Sequence, residues 1–256
     1  MDYQLKSKLQ ERLARERGYY RYPQGTRTRF ALAYPNTYFI GMSNLGIHVI
    51  YELLNRRVDT ACERVFLPDR TEISRYERTQ TPMMSVETQT PLADFAVIGF
   101  AVSFEMDYFH VVKMLALSRI KPRAAERTEH DPLVIAGGPC ATFNPEPLAE
   151  IADAFVIGEG EVIMPHLMDA YNAARQAGLS REETLQAMSK VDGVYVPSLY
   201  AHIYDAARTG RHSFCAWHAF RVSMSLHSIY LPIVRTGILH RLRRKREHRP
   251  AYRASG

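Results

Sequence analysis

The chain has 256 residues, of which 46% are hydrophobic and 23% are charged, so its composition is that of a folded globular protein. Its net charge of +6 is unevenly distributed, because residues 201–256 carry a charge of +9 and residues 1–200 a charge of −3. Such an asymmetry is found in chains with a basic arm for nucleic acid or a membrane surface, and also where a segment was never selected to fold.

Several classes of protein are excluded by simple patterns. Cys62, Cys140 and Cys215 lie far apart, which argues against a disulfide framework and against a zinc or cluster motif. The charged segment 1–18 lacks the apolar region of a signal peptide. The longest uncharged stretch of the basic segment, 222–234, is too short to span a bilayer. We therefore expect a cytoplasmic protein with reduced thiols and no membrane span.

The predicted elements alternate along the chain. Leucines spaced by four predict an amphipathic N-terminal helix over 4–17, followed by a turn-rich connection at 18–27. Strands are predicted at 29–34, 61–67, 95–102, 133–136 and 154–157, and further helices at 43–55, 107–119, 161–177 and 181–190. Continuous apolar strands are typical of a parallel sheet with helices on both faces. We predict a doubly wound, mostly parallel α/β fold of Rossmann-like type; a mixed α+β domain is the alternative.

Four unusual segments follow the predicted strands. In open parallel sheets, ligands bind beyond the carboxyl ends of the strands, so these segments predict one ligand crevice. The candidate cofactor-binding residues are Gly41, Met42, Ser43, Asn44, Gly46, Ser103, Glu105, Gly137, Gly138, Pro139, Gly158, Glu159, Gly160 and Glu161. We predict no catalytic residue and no metal ligand.

Each segment also has a purely structural interpretation. The first could be a capped turn, and Glu105 could cap the helix that begins near Asp107. The glycine pair 137–138 could serve only as a turn, and the carboxylates of segment 158–161 could complement a helix dipole. Neither a G-x-G-x-x-G fingerprint nor a P-loop is present. Cys140 is interpreted as a buried structural thiol, because no histidine is near it in sequence.

The stretches ALAYPNTYFIGMSNLG, ERVFLPD, VIGFAVSFEMDY, PLVIAGGPCATFNPEPLAE and FVIGEGE follow one another along the chain. In this order, together with GVYVPSLY, they resemble the N-terminal domain of cobalamin-binding-domain radical SAM proteins over residues 10–210. The resemblance implies a Rossmann-like sheet that holds a cobalamin above its C-terminal edge. In full-length relatives a barrel follows, which binds a [4Fe–4S] cluster through C-x-x-x-C-x-x-C and cleaves S-adenosylmethionine.

The sequence departs from this family in two respects. It contains no C-x-x-x-C-x-x-C motif, so the cluster and S-adenosylmethionine are expected only in full-length relatives, and whether this chain is an enzyme stays open. Many cobalamin domains carry Asp-x-His-x-x-Gly after the first strand, whereas the GMSNLG loop has no histidine, and His48 falls within the helix. Cobalamin would therefore bind without a protein histidine ligand; a relic domain that binds nothing is the alternative.

We divide the chain into an N-terminal helix and connection (1–27), a cobalamin-binding-type α/β domain (28–192), a connector toward a missing barrel (193–213) and a basic tail (214–256). The resemblance stops near residue 214. The tail is interpreted as a frame-shifted or replaced C-terminus of a truncated family member. The alternatives are a solvated tail and a basic arm, in which the cluster Arg241–Arg246 would bind nucleic acid or an anionic membrane.

Three functions follow from these interpretations. The leading hypothesis is a cobalamin-binding-type ligand module of a radical SAM protein that is non-catalytic in this chain, with a small-molecule cofactor as its partner. A second is a component of a radical SAM enzyme completed by a separately encoded iron–sulfur barrel protein. A third is a basic-tailed protein that associates with nucleic acid.

Overall fold

A computed structural model of the chain describes residues 2–23, 25 and 27–200. The predicted basic tail and most of the connector lie outside the described residues. The strands are β1 (Thr28–Tyr34), β2 (Thr60–Phe66), β3 (Val97–Ala101), β4 (Leu133–Gly137), β5 (Ala154–Val156) and β6 (Val194–Tyr195). The helices are α1 (Tyr3–Ala14), α2 (Tyr38–Met42), α3 (Leu45–Asn55), α4 (Arg70–Thr79), α5 (Asp107–Leu117), α6 (Pro139–Phe143), α7 (Gly160–Gln176) and α8 (Arg181–Met188).

The strands form one sheet in the order β2-β1-β3-β4-β5-β6. The first five strands are parallel, and β6 pairs antiparallel with β5. The predicted doubly wound, mostly parallel sheet is therefore confirmed. The two residues of β6 belong to the segment that was assigned to the connector, so the chain still contributes to the sheet at 194–195.

Helices cover both faces of the sheet. Helix α3 packs on β1 and β2, α7 packs on β5, and the two helices contact each other, so they share one face. Crossovers between parallel strands are right-handed, and β3 leads to β4 in the direction opposite to β1 and β2. Helix α5 therefore lies on the other face, where it contacts α4.

The N-terminal helix packs on this domain. Leu5, Leu9 and Leu13, the predicted apolar stripe, are all buried and join the core. Ion pairs from Lys8 and Arg12 to Glu72 fix α1 beside α4. The predicted amphipathic helix therefore exists, and it packs on its own domain.

In the part of the chain that the structure describes, no helix combines the length and apolar character needed to cross a membrane.

Candidate functional site

A cleft of about 450 Å³ opens at the carboxyl edge of the sheet. The strand order reverses between β1 and β3, so crossovers leave toward opposite faces and a crevice forms there. The cleft lies on the face that carries α3 and α7, above the central strands. Ligand sites of doubly wound sheets form at this topological position, and the volume lies within the usual range for small-molecule sites.

The body of the cleft is apolar. Side chains of a strand alternate between the two faces, and the sheet contributes one such set to the cleft. These residues are Phe30, Leu32, Gly99, Ile135, Gly137 and Val156, and the facing helices add Ile47, Ile50 and Met164. An apolar cavity of this kind binds a hydrophobic or aromatic group by removing its surface from water.

Gly99 makes the floor of the cleft possible. A Cβ atom at this position would lie 2.5 Å from Cζ of Phe30, closer than real contacts allow. The ring of Phe30, which is 1% exposed, therefore lies directly against the glycine backbone of the neighbouring strand. A glycine inside a strand often marks such a close approach, and here it leaves room above β3.

Gly138 shapes the rim by its backbone. Its φ is +98°, and a Cβ atom would lie 2.7 Å from the carbonyl oxygen of Val102. The Val102 N–H donates to the oxygen of Gly137 at 2.8 Å. Only glycine adopts this positive φ and tolerates this close backbone contact without strain. The loop after β4 can therefore lie against the loop after β3.

Asn44 joins two sides of the cleft. It is the N-cap of α3, and its Oδ1 accepts from the N–H of Ile47 at 3.2 Å. Its Nδ2 lies 3.5 Å from Oγ of Ser103, which follows β3. The helix cap thus presents an amide and a hydroxyl together at the rim.

Ten of the predicted site residues line this one cleft: Asn44, Gly46, Ser103, Gly137, Gly138, Pro139, Gly158, Glu159, Gly160 and Glu161. They come from the last residue of β4 and from the segments after β1, β3, β4 and β5. That they bind a ligand stays a prediction, but the structure brings them to one place.

Four predicted residues lie elsewhere: Gly41, Met42, Ser43 and Glu105. Gly41 is buried below the ring of Phe66, and Sδ of Met42 accepts from Arg64. The Ser43 hydroxyl donates to the carbonyl of Phe39. Gly41 and Met42 belong to the short helix α2 and Ser43 caps its end, so α2 turns these three residues away from the cleft.

The alternative interpretation of Glu105, as the cap of α5, is not supported by the structure. The N-cap position is Met106, which makes no side-chain capping bond, and Glu105 is exposed. The carboxylate of Asp107 instead accepts from the N–H groups of Ser103 and Phe104. The first residue of α5 therefore holds the turn before the helix.

The charge of the cleft is purely acidic. Glu159 and Glu161, at the start of α7, are the charged residues among those that line it, and both are exposed. No lysine or arginine from the described part of the chain lines the cleft. A phosphate group would therefore meet carboxylates without a compensating cation, which disfavours nucleoside polyphosphates.

Cys140 lies next to the cleft but is buried, as the sequence indicated. Burial raises the pKa of its thiol, and the nearby carboxylate of Glu105 adds to the effect. A thiol with a raised pKa is mostly protonated at neutral pH and is a weak nucleophile. The structural interpretation of Cys140 is therefore favoured.

The histidine that follows the GMSNLG loop is engaged locally. Nε2 of His48 lies 2.8 Å from the carbonyl oxygen of Met42, at the end of the preceding helix. Among the described residues, no group of three or more histidine, cysteine, aspartate or glutamate side chains is placed to hold a metal ion.

Sequence reasoning missed the apolar walls and the mouth of the cleft. Phe143 lines the mouth and is 87% exposed, yet nothing in its local sequence sets it apart. Gly99 carried a usable signal, because a glycine within the apolar run 95–102 is unusual for a strand interior.

The fold and this cleft define a doubly wound α/β domain with a ligand crevice at its switch point. A family model for the N-terminal region of radical SAM proteins matches residues 46–197. The match covers more than half of the chain, and the chain belongs to this family.

An uncharacterised protein of Methanocaldococcus jannaschii is 27% identical over 132 residues, which are 51% of this chain and 24% of that protein. The chain thus matches about a quarter of the length of this archaeal relative. No solved structure matches the chain significantly.

Proposed function

We propose that the described domain is the ligand-binding module of a radical SAM protein and that its ligand is a cobalamin. The observation that carries the proposal is the apolar cleft at the switch point between β1 and β3, which gathers ten rim residues from four loops. Family membership supports the radical SAM context.

The cleft fits one part of a cobalamin better than the whole. The corrin macrocycle is too large for a cleft of about 450 Å³. The base of the nucleotide tail is planar and apolar on both faces, so it suits the apolar body of the cleft. In this proposal the tail enters between the sheet and the two helices, where Phe30, Ile135 and Val156 would pack against it. The corrin would then lie over the rim.

The rim chemistry suits the neutral amides of a corrin. Glu159 and Glu161 would accept hydrogen bonds from amide N–H groups, and the hydroxyl of Ser103 can donate or accept. The phosphodiester of a cobalamin tail brings one negative charge to this acidic rim, whereas the pyrophosphate of a dinucleotide brings two. The acidic lining therefore favours cobalamin over a nucleotide cofactor.

This chain would bind and orient the cofactor rather than ligate its cobalt. His48 is hydrogen-bonded to Met42 inside the domain, so we propose that the metal receives no histidine from the protein. A bound cobalamin supplies a cobalt centre that can carry an alkyl group or an electron. We assign the radical chemistry to a cluster-binding domain, because these 256 residues contain no C-x-x-x-C-x-x-C motif.

A titration that compares hydroxocobalamin with cobinamide, which lacks the nucleotide tail, tests this proposal. We expect the full chain to bind hydroxocobalamin, with a change in its visible spectrum, and to bind cobinamide at least about tenfold more weakly. Absence of binding would exclude the cobalamin assignment. Equal affinities would exclude entry of the tail into the cleft.

The nucleic-acid hypothesis rests on the basic tail, which lies outside the described residues. The observations at the cleft do not favour it, because the lining carries carboxylates and no cation.

A further inference from the structure

The connection between α1 and β1 contains a strap of residues 16–23 that lies along α3. Two tyrosines of the strap, Tyr20 and Tyr22, are half-buried, and their rings stack with centroids 6.1 Å apart. The hydroxyl of Tyr20 donates to Glu52 at 2.8 Å, and the hydroxyl of Tyr22 donates to the carbonyl of Asn55 at 2.7 Å. These contacts fix the strap against the second half of the helix.

The side chains between these tyrosines point to solvent. Exposed and half-buried positions alternate along 19–23, and Arg17, Tyr19 and Arg21 are all exposed. None of the three side chains forms an ion pair or a hydrogen bond with another described residue. The strap therefore presents a cation, an aromatic ring and a second cation in succession, each free to contact a ligand.

The strap is a basic segment in a body of net negative charge. Segment 14–27 contains four arginines and a single carboxylate, that of Glu16. This carboxylate is directed inward, where it accepts from Nη2 of Arg64 at 2.6 Å. The carboxylate of Glu52, below the strap, pairs with Arg56. Neither carboxylate therefore neutralises the exposed arginines of the strap.

We propose that the strap binds a single-stranded nucleic acid. Proteins that bind single strands combine cationic side chains, which contact the phosphates, with aromatic side chains on which bases stack. In this assignment the ring of Tyr19 stacks on a base, and the guanidinium groups of Arg17 and Arg21 donate to phosphate oxygens. Because the backbone of the strap is already fixed on α3, binding orders few additional groups.

This site is separate from the cleft and from the basic tail. Arg27, which follows the strap, donates to the carbonyls of Arg57 at 2.7 Å and of Thr60 at 3.2 Å. Thr60 is the first residue of β2, so the strap leads to the amino edge of the sheet, whereas the cleft lies at the carboxyl edge. The inference therefore does not depend on the cobalamin proposal.

Other partners fit the strap less well. A segment that binds a membrane surface inserts large apolar side chains among the lipids, whereas the exposed positions 17, 19 and 21 are arginine, tyrosine and arginine. An acidic peptide would pair with the two arginines but would leave the ring of Tyr19 without a planar partner. A nucleic acid supplies both phosphates and planar bases.

Fluorescence anisotropy with the full chain and labelled oligonucleotides tests the proposal. The probes are an oligouridylate and an oligothymidylate of about 12 nucleotides each, which distinguish RNA from DNA. We expect the wild type to bind at least one of them, with an affinity that falls as salt increases. The double variant Arg17→Ala, Arg21→Ala should bind at least about tenfold more weakly, and the slope of log affinity against log salt should fall by about 1.

Substitution of Tyr19 separates stacking from charge. Tyr19→Ala should weaken binding at least about fivefold without a change in the salt slope, whereas Tyr19→Phe keeps the ring and should bind as the wild type does. Arg78→Ala is the matched control for loss of an exposed arginine. Its neighbour Arg75 pairs with Asp2, which lies about 18 Å along α1 from the strap, so binding should not change.

Four outcomes would overturn the proposal. The first is absence of binding of both oligonucleotides by the wild type. The second is wild-type affinity in the double arginine variant, which would assign the binding to another surface such as the basic tail. The third is an equal loss in Tyr19→Phe and Tyr19→Ala. The fourth is binding of anionic vesicles or polyglutamate through the strap with no binding of the oligonucleotides.

Discussion

Nδ2 of Asn44 lies 3.5 Å from Oγ of Ser103, across the point where the strand order of the sheet reverses. Asn44 lies at the end of the segment that follows β1, and Ser103 lies in the loop that follows β3. The contact therefore connects the helix on one face of the sheet with the loop that leads to the other face. It places both polar groups at the mouth of a cleft whose body is apolar.

Replacement of Asn44 by alanine tests its role as a cap. The variant removes the acceptor for the N–H of Ile47, and we expect the free energy of unfolding to fall by about 1 kcal/mol in urea denaturation. Ser43→Ala is the neighbouring control, because its hydroxyl is exposed and bonds only to the carbonyl of Phe39. Equal losses in both variants would contradict the assigned cap.

The buried ion pair of Arg64 and Glu87 predicts a large effect at the edge strand. Oε1 of Glu87 accepts from Nε of Arg64 and Oε2 accepts from its backbone N–H, both at 2.7 Å, and both side chains are buried. Glu87→Ala should destabilise the fold by about 3–5 kcal/mol, because it leaves a buried guanidinium with one carboxylate fewer. Thermal or urea denaturation measures this loss.

The matched control for Glu87 is Glu77, which pairs with Lys113 on the surface. Exposed pairs contribute little, so Glu77→Ala should cost less than about 1 kcal/mol. A cost for Glu87→Ala as small as that of the control would show that the buried pair does not hold the segment 83–91 against β2.

The cap of α4 predicts a pH dependence. Burial raises the pKa of Asp69, but hydrogen bonds from Thr71 and the N–H of Glu72, together with Lys8, outweigh it and lower the pKa from 3.8 to about 2. A carboxyl with a lowered folded pKa stabilises the fold above its unfolded pKa and loses this contribution as the pH falls through the folded value.

Asp69→Asn keeps a capping oxygen but cannot titrate. The stability difference between the wild type and Asp69→Asn should be largest at neutral pH and should shrink as the pH falls from about 4 toward about 2. Urea denaturation at a series of pH values measures it. A difference that stays constant down to pH 2 would refute the lowered pKa.

The sequence allowed prediction of the five parallel strands and of the longer helices other than α4, because buried parallel strands are continuous apolar runs; the short antiparallel strand β6 was assigned to the connector. Helix α4 was not predicted, because its ten residues include only Ile73 and Tyr76 as large apolar side chains. Its stability depends on the capping box of Asp69 with Glu72 and on ion pairs from α1. The ion pairs join positions about 60 residues apart, which local patterns do not reveal.

Most rim residues of the candidate site could be predicted from the sequence, whereas the apolar walls of the cleft could not. Glycine pairs and polar residues after strands mark loops, and topology brings those loops together. The cleft itself depends on the gap between α3 and α7 and on the face to which Phe30 points. Both are properties of packing between distant segments. Gly41, Met42 and Ser43 were grouped with the rim because local sequence does not show that α2 turns them away.

The central claim, that the cleft binds a cobalamin, is tested most directly by filling the cleft. A Cβ atom at Gly137 would lie 3.5 Å from Cβ of Val156, an ordinary contact, so a side chain can begin here, and Gly137→Val adds two methyl groups at the wall of the cleft. The control Ala116→Val adds its methyl groups to an exposed position of α5.

Spectroscopic titration with hydroxocobalamin should show binding by the wild type and by the control. Gly137→Val should bind at least about tenfold more weakly, with a free energy of unfolding within about 1 kcal/mol of the wild type. Wild-type affinity in Gly137→Val, or no binding by the wild type, would contradict the account.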